Sequence, residues 1–163
     1  MAVKKKAPAT TKTDALSIRI DPRLRYGLEL LSRVQRRSVT GVVEWAIENA
    51  LRTERVDPLE EYSSTFAQAV TATWSPNEPE RLEKLASKFP ELMTYEESRL
   101  WRVLIETTEL LDTFSKRKEL DMLLVNREWE KIKPLLLEAA DQPVLIGLTR
   151  DQLIEAGVDI VPF

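Results

Sequence analysis

Two clusters near the N-terminus carry the side chains best suited to recognition chemistry. Ala15, Ser17 and Arg19 alternate along one short stretch, so an extended chain turns all three to the same side. Arg19 offers a planar fork of donors that matches a pair of acceptors, Ser17 a hydroxyl that donates or accepts, and Ala15 only apolar contact. The second cluster is Ser38, Val39 and Thr40, preceded by Arg36 and Arg37. If a helix begins at Ser38, the N–H groups of its first turn have no helical acceptor. Together with the positive end of the helix dipole they suit an anion such as phosphate. The plain alternatives are an ordinary polar strand face for the first cluster and simple capping by the Ser38 hydroxyl for the second. Capping and anion binding are compatible.

Other chemistry is limited by what the chain lacks. The 163 residues contain no Cys and no His, which removes disulfides, thiolate nucleophiles, Cys-ligated zinc and the commonest general base. With only 4 Gly there is no Gly-rich phosphate loop. Glu60-Glu61 and Glu96-Glu97 read as surface or helix-start acids without partners for a metal, and Trp45, Trp74, Trp101 and Trp129 as core or interface residues. The expectation is a protein that is not an enzyme and uses no cofactor or metal.

Charge is unevenly placed. Residues 1–56 hold 12 Lys/Arg and 6 Asp/Glu, a net of +6, whereas residues 57–163 hold 12 and 21, a net of −9; together they make the overall −3. A basic N-terminal third suggests that this part faces a polyanion, against the alternative of a chance distribution of solvated charge. Composition, at 43% hydrophobic and 31% charged, suits a globular chain. No apolar run reaches the roughly 20 residues that span a bilayer, and no signal-peptide pattern follows the basic start, so no membrane association and a cytoplasmic location are expected.

The clusters need elements to hold them. Residues 1–13 read as a flexible basic arm containing Lys4, Lys5, Lys6 and Lys12. Leu16, Ile18 and Ile20 alternate with Ser17, Arg19 and Asp21, the pattern of a half-buried strand. Asp21-Pro22 opens a helix to about Gln35 carrying Leu24, Leu28, Leu31 and Val34, and Ser38 caps a second with Val42, Val43, Ala46, Ile47, Ala50 and Leu51. One strand cannot satisfy its own backbone, and two short helices cannot enclose a useful core. Both difficulties vanish if two chains pair their strands antiparallel and interlock their helices.

The stretch LSIRIDPRLRYGLELLSRVQRRSVTGVVEWAIENAL, Leu16 to Leu51, resembles the ribbon-helix-helix superfamily of bacterial and phage DNA-binding proteins (Arc/MetJ type). The shared order is an alternating strand, an Asp-Pro helix start, a short turn, then a Ser-capped helix containing Ala46-Ile47-Glu48-Asn49. The resemblance covers under a quarter of the chain. It implies an obligate homodimer whose two-stranded ribbon enters the major groove of double-stranded DNA, with Ala15, Ser17 and Arg19 facing base edges. The start of the second helix, with Arg36 and Arg37 beside it, would hold backbone phosphates on each side. Family members often place Gly in the inter-helix turn. Here Arg36-Arg37 stands instead, so an Arg must take a positive φ or the turn must differ.

The fold class expected is mainly α: a ribbon-helix-helix module over residues 14–56 and an acidic, mostly helical domain over residues 57–163 with a short α/β C-terminal segment. In the second domain one helix is predicted from Leu59 to Thr73, along Leu59, Tyr62, Phe66, Ala69 and Val70. Ser75 to Glu78 has capping-box spacing, with Pro79 delaying the helix of Leu82, Leu85 and Phe89. Thr94 to Glu97 caps a long helix carrying Leu100, Trp101, Leu104, Leu111 and Phe114. Another runs from Leu120 to Ala140, kinked or restarted at Pro134. Val144 to Ile146 and Val158 to Val161 read as short strands around a helix capped by Thr149 to Gln152 and stopped at Gly157.

The functional expectation is a sequence-specific transcriptional regulator, a repressor from a bacterium, phage or mobile element, associated with the nucleoid. The C-terminal domain would join dimers into a higher oligomer, bind a small effector or contact a protein partner. Two competing classes stay open: an antitoxin that neutralises a toxin through its C-terminal region, and an accessory DNA-binding protein of plasmid segregation or conjugation.

Overall fold

The computed structural model describes residues 17–60, 62–112 and 119–160. The protein is mainly helical. Among the described residues seven α-helices follow in order: α1 Pro22–Gln35, α2 Val39–Thr53, α3 Phe66–Thr73, α4 Glu78–Lys88, α5 Tyr95–Glu106, α6 Met122–Ala140 and α7 Arg150–Glu155. Short 3₁₀ turns lie at Pro90–Leu92 and Thr108–Leu110. Among the described residues no strand forms; the only β-type pairings are isolated bridges, Arg55 with Thr65 and Leu111 with Leu120. The chain divides into two compact units, Met1–Ile47 and Glu48–Phe163, and the division falls inside α2. The predicted basic arm, Ala15, Leu16, Glu61, Phe114 and Val161 lie outside the described residues.

In the N-terminal unit, α1 has the bounds that its apolar spacing predicts. The Asp21 carboxylate accepts from the Arg23 amide at 2.8 Å, and Pro22 occupies the first position, where a missing N–H costs nothing. The helix ends in a Schellman arrangement: the Arg36 amide donates to the Arg33 carbonyl and the Arg37 amide to the Ser32 carbonyl. The left-handed residue of this motif, usually Gly, is Arg36, at φ 52° and ψ 41°. Of the two routes open to the turn, the chain takes the strained one. Ser38 then caps α2, its Oγ accepting from the Gly41 amide at 3.0 Å.

In the C-terminal unit, α5 and α6 pack against each other and against α4. Their shared core is Leu82 from α4, Val103 and Leu104 from α5, and Val125, Trp129, Ile132 and Leu136 from α6, closed by Leu148, Leu153 and Val158. Here the structure corrects several expectations. α3 starts at Phe66, not Leu59. Thr65 and Gln68 form a capping box there, and the preceding chain folds back on itself through the Arg55–Thr65 bridge. Leu59 and Tyr62 sit on that loop, almost wholly exposed. Pro79 does not delay α4, which begins at Glu78 with Pro79 in its first turn. Instead of capping that helix, Ser75 donates its hydroxyl to Glu80 and accepts from the Asn77 amide.

α5 is shorter than predicted, stopping at Glu106 before the 3₁₀ turn; Leu111 lies beyond it. α6 is one helix through Pro134 and does not restart there. A proline inside a helix costs about 3 kcal/mol, but buried Trp129 and Ile132 before it and Leu136 and Ala140 after it anchor both halves to one core.

Among the described residues the C-terminal segment is not α/β. Residues 144–148 form no strand, and neither do the described residues 158–160. Instead the first of these runs is fixed by α5: the Leu148 amide donates to the Thr107 hydroxyl, and Gly147 lies against the Glu106 carbonyl. α7 has its expected Thr149–Gln152 capping box, and Gly157, at φ 73°, ends it. Residues 157–159 are tied to α6. Lys131 donates to the Gly157 carbonyl and Arg127 to the Asp159 carbonyl, and both cations also hold the buried Glu128 carboxylate.

Candidate nucleic-acid interface

The predicted site residues lie in the N-terminal unit on two stretches. Ser17 and Arg19 belong to the stretch leading into α1, where the described residues 17–20 form no strand in the single chain, and both are exposed; Ala15 lies outside the described residues. Arg36 and Arg37 form the turn between α1 and α2, and Ser38, Val39 and Thr40 the start of α2; all five are exposed. Among the described residues no hydrogen bond or ion pair joins the first stretch to the second.

At the start of α2 the donors divide in two. The Gly41 amide is satisfied by Ser38 Oγ and the Val42 amide by the Ser38 carbonyl, while the Val39 and Thr40 amides have no acceptor among the described residues. Two open N–H groups at the positive end of a fifteen-residue helix favour an anion. Gly41 keeps the turn tight: a Cβ there would meet Ser38 Oγ at 3.3 Å.

The arginines add charge that the unit does not cancel. Arg25 pairs with Glu29 at 3.5 Å, but Arg19, Arg23, Arg33, Arg36 and Arg37 have no acidic partner among the described residues. Sequence reasoning singled out Arg19, Arg36 and Arg37 and passed over Arg23 and Arg33. The signal for Arg33 lay in its spacing: Glu29 stands four residues from both Arg25 and Arg33, and among the described residues it pairs with Arg25.

The apolar side of the same unit is uncovered. No residue of α1 is buried in the single chain, although its apolar side chains recur at helical spacing. Val34 is 80% exposed, Leu24 65% and Ile18 58%; on α2 only Val42 is buried. Exposed apolar patches of this kind mark interaction surfaces.

No protein-family model, curated protein or solved structure matches the chain. Among the described residues no helix is long and apolar enough to cross a membrane, and no group of three or more acidic side chains is placed to hold a metal ion.

Proposed function

We propose that this chain is a sequence-specific DNA-binding transcriptional regulator, a repressor, working as a homodimer of ribbon-helix-helix type. The observation that carries the reading is α1: a fourteen-residue helix with an apolar stripe and no buried residue, flanked by arginines without acidic partners among the described residues. A second copy supplies the missing cover. The extended segments through Ser17 and Arg19 pair antiparallel, Ile18 and Ile20 turn inward, and Ala15, Ser17 and Arg19 face outward to read base edges in the major groove. The open amides of Val39 and Thr40, with Ser38, Arg36 and Arg37, hold phosphates on both sides and set the depth of the ribbon. The C-terminal unit has its own packed core, which favours a folded accessory domain over an antitoxin tail that orders only on its toxin.

Fluorescence anisotropy against DNA from upstream of the gene, with random DNA beside it and at several salt concentrations, tests the reading. Wild type prefers the upstream DNA; Arg19→Ala loses that preference by about 1–3 kcal/mol and keeps a similar salt slope. Equal binding of all DNA by both proteins, or none by either, removes the proposal.

A further inference from the structure

The C-terminal unit contains a cleft that the reading above does not use. It lies among α4, α5 and α6, has a volume of about 410 Å³, and has an apolar floor of Leu82, Leu85, Leu100, Leu137 and Trp129. That volume is in the range of small-molecule sites. Five charged side chains also line it, and their engagements differ.

Both cations are held by the chain itself. Lys133 donates to the two Glu78 oxygens at 2.8 Å, and the Trp129 indole N–H donates to the same carboxylate at 3.0 Å. Arg81 donates to the Ser75 and Pro76 carbonyls and lies over the Trp74 ring, 5.3 Å from its centre. The other two acids are open. One oxygen of Glu97 accepts from the Thr94 amide at 2.8 Å, leaving the second without a partner, and Glu96 has none among the described residues. Glu78 and Lys133 cancel, and the neutral carbonyls leave the Arg81 charge in place, so the balance of Arg81 against Glu96 and Glu97 beside the apolar floor is negative.

We infer that this cleft binds a small amphipathic cation, an apolar or aromatic body carrying an amine. The body lies on the leucines and the Trp129 indole, and the ammonium lies against Glu96 and Glu97. A carboxylate ligand meets two open acids against one uncancelled cation, Arg81, and a neutral one gains only the apolar contact. The site stands apart from DNA binding; on the regulator reading its ligand is an effector, but its occupancy can be measured without DNA.

The test is calorimetric titration of the full-length protein at neutral pH and low salt with phenylbutylamine, phenylbutanol and phenylbutyrate, which share one apolar body. The amine binds tightest, about fivefold better than the alcohol, as expected for a partly exposed ion pair, and the acid weakest. Glu96→Gln, a surface change that leaves the Thr94–Glu97 cap intact, removes most of that preference and leaves the alcohol unchanged. Leu137→Trp fills the cleft and abolishes binding of all three with the melting temperature preserved. Equal affinities, preference for the acid, no amine binding, or amine binding that Glu96→Gln leaves untouched each overturn the proposal.

Discussion

The buried hydroxyl of Thr107 accepts a hydrogen bond from the amide of Leu148, 41 residues further along the chain, at 2.9 Å. The same hydroxyl donates to the Val103 carbonyl at 2.8 Å. One side chain thus ends α5 and fixes the path of the C-terminal segment. Thr107→Val keeps the shape and leaves the Leu148 N–H buried without an acceptor, which costs about 1–3 kcal/mol. Urea denaturation measures this directly; a loss within error of zero would mean that water or a small shift replaces the bond.

Gly147 is the more sensitive neighbour. A Cβ added there would lie 2.2 Å from the Glu106 carbonyl oxygen and 2.7 Å from the Thr107 nitrogen, both backbone atoms. Gly147→Ala therefore forces the coil away from α5 and weakens the Thr107–Leu148 bond as well, with a cost of at least about 1–3 kcal/mol. The double variant with Thr107→Val should lose less than the sum of the two single losses, because both act on one contact.

Arg36 holds a left-handed backbone that glycine adopts freely. Arg36→Gly relieves strain of about 1 kcal/mol or more, partly offset by the greater freedom of glycine in the unfolded chain, so a gain of about 0.5–1 kcal/mol is expected in thermal melts. On the proposed function the same change weakens binding to all DNA sequences alike and lowers the salt slope by about 1. A variant that is more stable and binds DNA as well as wild type would remove Arg36 from the phosphate contacts.

Dimerisation is separable from DNA binding. In a lone chain Ile18 is 58% exposed, so Ile18→Asn should change stability by no more than about 0.5 kcal/mol. In the proposed dimer that side chain is covered, and the change costs about 2 kcal/mol or more of association. Wild type should then melt at a temperature that rises with concentration, and the variant should run at half its mass by light scattering. An unchanged mass would count against the paired strands.

Acid should loosen the C-terminal segment. Hydrogen bonds from Lys131 and then Arg127 hold the Glu128 carboxyl below its ordinary range, against burial, which raises it. A carboxyl with a depressed folded pKa contributes stability that is fully present above its unfolded pKa, near 4.5, and is lost as pH falls through the folded one. Between pH 5 and 3 the wild type should lose stability faster than Glu128→Gln. Hydrogen exchange of residues 157–160 should rise over the same window, since Lys131 and Arg127 also hold the Gly157 and Asp159 carbonyls.

The sequence by itself determined whatever is settled within one helical turn. The Asp21-Pro22 start, the Ser38, Thr94 and Thr149 caps, the end at Gly157 and the full extent of α1 were legible because donor, acceptor and φ preference lie three or four residues apart. The candidate interface was legible in the same sense: Arg19, Arg36, Arg37 and the Ser38 turn are named by residue type and spacing. The α3 boundary was open to the same logic, since the Thr65–Gln68 box is local; the apolar spacing of Leu59 and Tyr62 pointed elsewhere because spacing does not say whether anything lies opposite. Tertiary structure alone decided the rest. Whether α6 survives Pro134, where α5 stops, and why 144–148 is no strand all depend on atoms tens of residues away: the shared core on both sides of the proline, and the Leu148 amide at Thr107. Likewise, only the folded chain shows that Glu78 cancels the Lys133 charge in the cleft wall while Glu96 stays open, because charge cancellation depends on proximity in space and not on order along the chain.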